Sequence, residues 1–432
     1  MTSRIVIVGA GFGGQHAYSE LADAGYEVTL IDRNPYATFQ PLLYQVATGG
    51  LNPGDIAYPL RRLVAGSKGR GTSFRRATVT GIDTENKLVR TSRGEPIAYD
   101  KLILAQGAGP NFFGIPGAEE HAHTIYSRTA ALRVRDIIFS ALEQMTTEGG
   151  PNRRFTALVV GGGATGVEMA GALAELKSEA IPVVYPELSQ DQFRVVLAEM
   201  ADSLVTPFAP RLRRYTLHQL RKRGVDVRLN TAVKEVRPES VDLSDGTSID
   251  VDIVIWASGF GARPEVAEWG MPQGRGGRIE VEPNLRVKGM TDIYAVGDAS
   301  IEPDSPLPQL AQPAVQMGKH AAREIIAADK GEEPTAFVYN DKGTMATIGR
   351  NAAVVQFPGG KTVTGFPAWA LWVGVHLATL LGGRNRLQAM VNTAFRYFAW
   401  PQSATNIMGD AVPSVTSRPE LNSPRDHAGT QD

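Results

Sequence analysis

The chain contains one glycine-rich pattern twice, at residues 9–14 and at residues 161–166. Each copy follows a short apolar run rich in β-branched residues, and each precedes a predicted helix and a second predicted strand. Apolar runs that end in glycines are typical of buried parallel strands. A strand, a glycine turn, a helix and a further strand make a βαβ unit. Two such units predict a chain with two nucleotide-binding domains rather than one.

The first copy fits the G-x-G-x-x-G pattern with Gly9, Gly11 and Gly14. The first glycine permits a tight turn, the second lets backbone N–H groups approach a pyrophosphate, and the third lets the helix pack closely on the strand. Asp32 ends the next predicted strand, at the interval where an acid takes the ribose hydroxyls. A turn that serves only packing is the alternative. Because strand, turn, helix and acid stand in order, we predict a dinucleotide site.

The second copy repeats the spacing with Gly161, Gly163 and Gly166. Its acid is Glu199, which comes later in the unit because an insertion with two prolines intervenes. A carboxylate at this place accepts hydrogen bonds from a free 2′-hydroxyl and repels a 2′-phosphate, so it favours NADH over NADPH. The alternative is that Glu199 only faces solvent.

The bulk properties of the chain exclude several classes of protein. A length of 432 residues and a net charge of −1 indicate two or three domains and no nucleic-acid partner. The chain has no cysteine, which excludes disulfides, iron–sulfur clusters, thiolate metal sites and dithiol relays. The histidines show no metal-ligand spacing, so we expect no metal. The first strand pattern begins without a signal peptide before it, which predicts a catalytic body in the cytoplasm.

The C-terminal part of the chain differs in character from the rest. Residues 343–409 contain no Asp or Glu but hold five Lys or Arg residues and three of the five tryptophans. Residues 369–381 are apolar but short for a bilayer span, and residues 386–400 have an amphipathic helical period. Basic and aromatic residues around apolar helices favour an anionic membrane surface. We therefore predict a monotopic anchor, with a buried dimer interface as the alternative.

Several further segments resemble one family, the type II NADH:quinone oxidoreductases, and the resemblance runs from about residue 4 to about residue 400. The segments that carry it are F-Q-P-L-L-Y-Q-V-A-T-G at 39–49, G-A-T-G-V-E-M-A-G at 163–171, A-V-G-D at 295–298, A-Q-P-A-V-Q-M-G at 311–318 and D-K-G-T-M-A-T-I-G-R at 341–350. No calcium-loop insertion is present.

This resemblance implies an α/β fold of the glutathione-reductase type, with two Rossmann-like dinucleotide-binding domains and a C-terminal helical membrane-associating module. The expected FAD domain has two parts, residues 1–150 and 276–355, and the expected NADH domain covers residues 151–275. The C-terminal module is expected at residues 356–409 and a disordered tail at residues 410–432. The implied reaction is NADH + H⁺ + quinone → NAD⁺ + quinol without proton pumping. It would take place at the cytoplasmic face of the cell membrane, in a peripheral protein that could form a homodimer.

The resemblance also implies which residues hold the cofactors. Those expected at FAD are Gly9, Gly11, Phe12, Gly13, Gly14, Asp32, Arg33, Leu42, Val79, Ala105, Gly107, Asp298, Gln312 and Ala314. Those expected at NADH are Gly161, Gly163, Gly166, Glu199, Ser258 and Gly259.

Two more residues are implied to act in catalysis. Glu168, near the start of the NADH-domain helix, would approach the flavin and assist proton supply or quinone binding; an acid that only stabilises the helix dipole is the alternative. Gln316 would hydrogen-bond a quinone carbonyl, and a surface glutamine is its alternative. A soluble flavoprotein reductase for a ferredoxin-like carrier is the competing function, because the fold and cofactors do not fix the acceptor.

Overall fold

The structure, a computed structural model, describes residues 3–66, 71–147 and 153–394. Its strands, in chain order, are β1 (Arg4–Val8), β2 (Glu27–Asp32), β3 (Tyr36–Thr38), β4 (Ala57–Pro59), β5 (Ser73–Arg76), β6 (Val79–Asp83), β7 (Leu88–Thr91), β8 (Ile97–Ala98), β9 (Lys101–Leu104), β10 (Gly109–Pro110), β11 (Ala122–Thr124), β12 (Phe155–Val160), β13 (Phe193–Ala198), β14 (Asp226–Arg228), β15 (Val233–Val236), β16 (Ser240–Leu243), β17 (Ser248–Asp250), β18 (Ile253–Trp256), β19 (Phe260–Gly261), β20 (Ile279–Glu280), β21 (Ile293–Ala295), β22 (Ser300–Ile301), β23 (Thr344–Gly349), β24 (Ala352–Gln356) and β25 (Thr362–Gly365).

The α-helices are α1 (Phe12–Asp23), α2 (Leu43–Ala47), α3 (Leu60–Ala65), α4 (Ala118–His121), α5 (Arg128–Thr147), α6 (Ala164–Glu175), α7 (Ile181–Val184), α8 (Pro210–Lys222), α9 (Ala311–Asp329), α10 (Phe366–Thr379) and α11 (Gly383–Ala394). One π-helical stretch, Leu176–Ala180, joins α6 to α7.

Two parallel five-stranded sheets form the body of the protein. The first has the strand order β21-β9-β1-β2-β5, and the second has the order β11-β18-β12-β13-β14. In each sheet the strand that leads into a glycine turn lies at the centre, so the turn emerges at the carboxyl end of the sheet. Open parallel sheets bind their ligands at this edge. The predicted pair of βαβ units is therefore confirmed.

The helices that follow the glycine turns begin earlier than the sequence predicts. We expected helices from residue 15 and from residue 167, but α1 starts at Phe12 and α6 at Ala164. The third glycine of each pattern, Gly14 or Gly166, thus lies inside the first helical turn. Glycine is a poor helix former, so the pattern suggested a later start. The close approach of helix and strand requires glycine at these positions and overrides that preference.

The second sheet includes residues that lie ahead of the expected boundary at residue 150. Strand β11, from Ala122 to Thr124, pairs with β18 at the edge of this sheet. Short antiparallel strands β10 and β19 pair where the chain passes between the two sheets. Strand β21 pairs with β9 at the edge of the first sheet.

The C-terminal module joins the hydrophobic core of the body. Strands β23, β24 and β25 form an antiparallel sheet, and α10 packs on it. Trp369 and Trp372 of α10 are buried in the cluster that also includes α5 and α6. Helix α10 is therefore part of the folded core. The predicted amphipathic helix is present as α11 up to Ala394. The rest of that segment and the expected tail at 410–432 lie outside the described residues.

Candidate functional site

The first glycine turn has the close contacts that its spacing predicts. Gly9 has φ +95°, and a Cβ on it would overlap the carbonyl oxygen of Ala105. A Cβ on Gly14 would overlap the carbonyl oxygen of Gly9. A Cβ on Gly11, in contrast, would meet nothing within 4 Å, because Gly11 borders open space at the start of α1. Two glycines thus hold the turn against the sheet while the third presents bare backbone to a ligand.

The second turn repeats this arrangement position by position. Gly161 has φ +105°, and its Cβ would lie 2.9 Å from the Cβ of Ser258. A Cβ on Gly166 would overlap the carbonyl oxygen of Gly161, and one on Gly163 would meet nothing within 4 Å. Both turns therefore leave an open approach to the N-terminus of a helix, where backbone N–H groups and the helix dipole favour a phosphate.

The two acids that close these units are held in the same way. Asp32 accepts hydrogen bonds from the N–H groups of Ala10 at 2.8 Å and Asn34 at 2.7 Å. Glu199 accepts them from Gly162 at 2.5 Å and Ala201 at 2.7 Å. Each carboxylate oxygen keeps a lone pair for a further donor. The acids are thus fixed beside their turns, in a geometry that suits ribose hydroxyls.

The space beside the first glycine turn fits a dinucleotide for a second reason. The segment after β9 passes over it, with Gly107 at φ +70°. The Oε1 atom of Gln106 is buried there with no hydrogen-bond partner among the described residues. Buried polar atoms are normally hydrogen-bonded, so a partner from a bound ligand would complete this one. Val79 is buried at the start of β6, and Leu42 is buried at the end of a short helical turn.

Asp298 lies on the same side of the molecule, after β21, in the segment Gly297–Ala299. Burial raises the pKa of Asp298 to about 6, and the positive charge of Arg278 opposes that rise. Burial in turn lowers the pKa of the Arg278 guanidinium. A carboxyl group and a guanidinium held away from water in this way are suited to polar groups of a cofactor, which would replace the lost solvent.

Helix α9 packs against the first glycine turn. A Cβ on Gly13 would lie 3.3 Å from the carbonyl oxygen of Ala314, and one on Gly318 would overlap the carbonyl oxygen of Gly13. This contact brings the start of α9 to the expected FAD site. Ala314 is buried and Gln312 is exposed.

The side chain of Gln316 is held by the backbone of one residue. Its Nε2 donates to the carbonyl oxygen of Asn340 at 3.0 Å, and its Oε1 accepts from the N–H of Asn340 at 3.0 Å. Both polar ends of the amide therefore tie α9 to the segment that leads into β23. The sequence pattern gave no sign of this partner. A hydrogen bond from Gln316 to a quinone stays a prediction.

Glu168 is a half-buried acid on α6. Its Oε1 accepts a 3.3 Å hydrogen bond from the N–H of Thr347. Burial raises the pKa of Glu168 to about 8, although the Thr347 N–H and the Trp372 side chain oppose that rise. The carboxyl group is thus protonated at neutral pH. A protonated acid carries little charge for a helix dipole, and the catalytic role of Glu168 stays a prediction.

A series of aromatic rings links the first glycine turn to Glu168. The ring of Phe12 lies 5.8 Å from that of Phe39, which lies 6.1 Å from His376. His376 stacks on Trp372 at 4.1 Å. Trp372 is 6.2 Å from Tyr44. Helix α10 therefore forms one wall of the space beside the first turn.

The sequence motifs did not single out Trp372 and His376 as site residues. The spacing of Trp369, Trp372 and His376 places them on one side of a helix, which was the available signal. This spacing was hard to recognise because nearly every residue of the segment is apolar. Burial lowers the pKa of His376 to about 4, so its imidazole is neutral.

The remaining predicted residues lie at the carboxyl ends of the two sheets. Arg33 is exposed just after β2. Ser258 and Gly259 follow β18, beside the second turn, and Gly259 has φ +73°. A Cβ on Gly259 would overlap the ring of Phe113. The structure thus places these residues around the two turns, whereas the side chain of Gln316 is bound to the backbone of Asn340.

The outer surface of the C-terminal helices is apolar. Phe366, Leu371 and Val375 of α10 are exposed, and so are three large apolar residues of α11. Those three are Leu387, Met390 and Val391, with exposed fractions of 62%, 52% and 44%. Within the described residues, no helix combines the length and apolar character needed to cross a membrane.

Comparison with known proteins agrees with this geometry. Residues 3–318 match the model of the pyridine nucleotide-disulphide oxidoreductase family, and residues 342–399 match that of the NDH2 C-terminal domain. The chain is 36% identical to the type II NADH:quinone oxidoreductase Ndh of Mycobacterium tuberculosis, over 90% of this chain and 87% of that protein. It is 31% identical to the mitochondrial internal alternative NAD(P)H-ubiquinone oxidoreductase A1 of Arabidopsis thaliana, over 90% and 85% of the two chains.

Solved structures show the same fold. The NDH2 structure from Plasmodium falciparum in complex with NADH superposes with a TM-score of 0.85 at 20% identity, covering 92% of this chain and 99% of that chain. The sulfide:quinone oxidoreductase of Aquifex aeolicus superposes with a TM-score of 0.72, covering 92% and 96%. From its two glycine turns, its C-terminal module and these similarities, the chain belongs to the family of type II NADH:quinone oxidoreductases.

Proposed function

We propose that this protein oxidises NADH through bound FAD and reduces a membrane quinone, according to NADH + H⁺ + quinone → NAD⁺ + quinol, without pumping protons. The observation that carries the proposal is the position of α10. Its inner face, with Trp372 and His376, borders the space beside the first glycine turn. Its outer face exposes Phe366, Leu371 and Val375. A single helix thus joins the proposed flavin site to an apolar surface, where a lipid-bound acceptor would arrive.

The two turns divide the cofactors between them. FAD would bind at Gly11 and Asp32, with Asp298 and Arg278 near its phosphate and sugar chain, and NADH at Gly163 and Glu199. FAD, when bound, can accept two electrons as a hydride and deliver them singly or in pairs. The residues of the chain position the two reactants, keep water away and manage protons. Because Glu199 is held beside its turn, its negative charge disfavours a 2′-phosphate.

Glu168 is the residue that we assign to proton supply. Quinol formation requires two protons, whereas a hydride brings two electrons and one proton. A carboxyl group with a pKa of about 8 holds a proton at neutral pH and can still release it. We therefore infer that Glu168 delivers the second proton to the quinone oxygen. Gln316 acts on the acceptor side through α9, whose position against residue 340 it fixes.

The exposed face of α10 and α11 would rest on an anionic membrane surface. Arg384 and Arg386 are exposed beside the apolar residues of α11, and no acidic residue occurs between residues 343 and 409. Apolar burial and attraction to anionic lipid add together in interfacial helices. We place the protein on the cytoplasmic face as a monotopic protein. A homodimer through the same face is the competing arrangement.

The test combines an acceptor assay with a change at this face. Leu387, Met390 and Val391 are replaced together by serine, and Val338→Ser serves as the control, because Val338 is 81% exposed outside this surface. NADH oxidation is measured with a short-chain soluble quinone and with a long-tailed quinone in anionic vesicles. We expect the triple variant to keep the first activity and lose most of the second, while the control keeps both.

The outcomes separate the parts of the proposal. If the intact protein oxidises NADH no faster when quinone is present, the quinone function is wrong. If the triple variant reduces the long-tailed quinone as fast as the control does, the membrane surface lies elsewhere. If the triple variant is monomeric while the intact protein is a dimer that does not float with vesicles, the exposed face is a dimer interface.

A further inference from the structure

A small pocket lies between two acids of α6. Glu168 and Glu175 are seven residues apart, so they lie on one side of the helix, on the order of 10 Å apart along its axis. Both line the pocket, and its other lining residues are Tyr44, Gln45, Ala172, Thr347 and Gly349. The pocket leaves about 10 Å³ for the centre of a water molecule, which is enough for roughly one.

Glu175 is more deeply buried than Glu168. Only 8% of its surface is exposed. Its Oε1 accepts a hydrogen bond from the N–H of Arg350, and a Cβ on Gly349 would lie 2.9 Å from the same oxygen. The carboxyl group is therefore held in place at the pocket.

Arg350 contacts both Glu175 and a second acid that is partly exposed. The π-helical stretch after α6 carries Glu179, whose side chain is 38% exposed. The Nη1 of Arg350 lies 3.5 Å from the Oε2 of Glu179, while the N–H of the same arginine binds Glu175. Arg350 thus joins a buried acid to one in contact with solvent. π-Helical turns within α-helices are frequent at functional sites.

We propose that Glu175 relays protons from solvent to Glu168 through a water molecule in this pocket. The inference rests on the proposed function, in which Glu168 gives a proton to the quinone. In each turnover the hydride of NADH supplies two electrons and one proton, and Glu168 supplies the other proton. Glu175 then returns a proton to Glu168 by way of the water, and takes one from solvent beside Glu179. The pocket touches both Glu168 and Glu175, so it offers a route between the two acids within the protein.

The test uses an acceptor that takes no protons. Glu175→Gln keeps an oxygen for the Arg350 N–H but cannot carry a proton. Glu187→Gln, at an exposed acid that does not line the pocket, is the control. Each FAD-loaded variant is assayed with NADH and either a short-chain quinone or ferricyanide, which accepts electrons only. We expect quinone turnover of Glu175→Gln to fall roughly tenfold or more, with unchanged ferricyanide turnover and unchanged reduction of the flavin by NADH. Glu175→Asp should restore part of the quinone rate.

A second variant makes the test independent of the Glu175 substitution. Ala172 is buried and lines the pocket, so Ala172→Val would displace the water and leave both acids in place. It should lower quinone turnover selectively, and its solvent isotope effect should exceed that of the intact protein.

The proposal is overturned if both variants keep the ratio of quinone to ferricyanide turnover of the intact protein. It is also overturned if turnover with quinone and turnover with ferricyanide fall equally, because that result indicates a purely structural role for Glu175. Failure of the proposed function looks different. In that case the intact protein shows no quinone-dependent turnover, or Glu168→Gln does not slow turnover with quinone more than turnover with ferricyanide.

Discussion

Replacing Glu168 with glutamine should make the stability of the protein less sensitive to alkali. Burial raises the pKa of Glu168 from the ordinary value of 4.5 to about 8. Between these two pH values the folded protein binds a proton at Glu168 that the unfolded chain does not. Stability falls with rising pH wherever the folded state binds more protons. The contribution of Glu168 is therefore complete below pH 4.5, decreases through neutral pH and is lost above about pH 8.

The size of the effect follows from the two pKa values. They differ by about 3.5 pH units, and each unit corresponds to about 1.4 kcal/mol, which gives an upper bound of about 5 kcal/mol. Because solvent reaches part of the half-buried side chain, we expect the pH-dependent loss of folding stability to be about 2–5 kcal/mol. Unfolding entropy of about 2 cal/mol/K per residue makes about 0.9 kcal/mol/K for 432 residues. The loss on going from pH 5 to pH 9 is thus worth about 2–6 °C in Tm.

The assay is thermal unfolding of the FAD-loaded protein, followed by circular dichroism from pH 5 to pH 9. Glutamine still accepts a hydrogen bond from Thr347 but cannot ionise. We expect the Tm of Glu168→Gln to fall less between these pH values than that of the unsubstituted protein, by the amount given above. Glu179→Gln, on the exposed side of the same segment, should behave like the unsubstituted protein. Parallel Tm curves for the Glu168 variant and the unsubstituted protein would refute the idea that Glu168 is protonated at neutral pH.

Three further substitutions test the cofactor and acceptor sites. Gly11→Val should leave a colourless apoprotein, since the side chain fills the open space before the helix N-terminus; normal flavin absorbance would contradict the FAD assignment. Glu199→Gln should narrow the NADH/NADPH ratio in kcat/KM by about 1–3 kcal/mol, because one charged partner of the ribose is lost; an unchanged ratio would place Glu199 away from the ribose. Gln316→Ala should raise the KM for quinone with little effect on flavin reduction by NADH in stopped flow; slower flavin reduction would assign Gln316 to the NADH half-reaction.

The nucleotide-binding parts of the fold could be predicted because their sequence signals are local. Gly9 and Gly161 lie where a positive φ and a close backbone contact leave room for no side chain. The role of these glycines in the turns can therefore be predicted from the residue type alone. The same applies to Asp32 and Glu199, which follow their strands directly and bind nearby backbone N–H groups.

The contacts between distant segments could not be predicted in this way. Gln316 meets Asn340, and Glu168 meets Thr347, which is 179 residues away. No local pattern encodes such pairs, because they depend on how whole elements pack. The packing of helix α10 in the core could not be predicted for a related reason. Its apolar residues match an anchor equally well on all sides, and only the fold shows that Trp372 faces the core. Truncation before Gly365 would therefore remove part of the core.

The most direct test of the proposed function is an anaerobic experiment that separates the two half-reactions. The FAD-loaded protein is first mixed with one equivalent of NADH, and flavin absorbance is followed. A short-chain quinone is then added, and the absorbance and quinol are measured. We predict that NADH bleaches the flavin and that quinone restores its absorbance with one quinol formed per flavin. Bleaching by NADH without recovery on adding quinone would contradict the account.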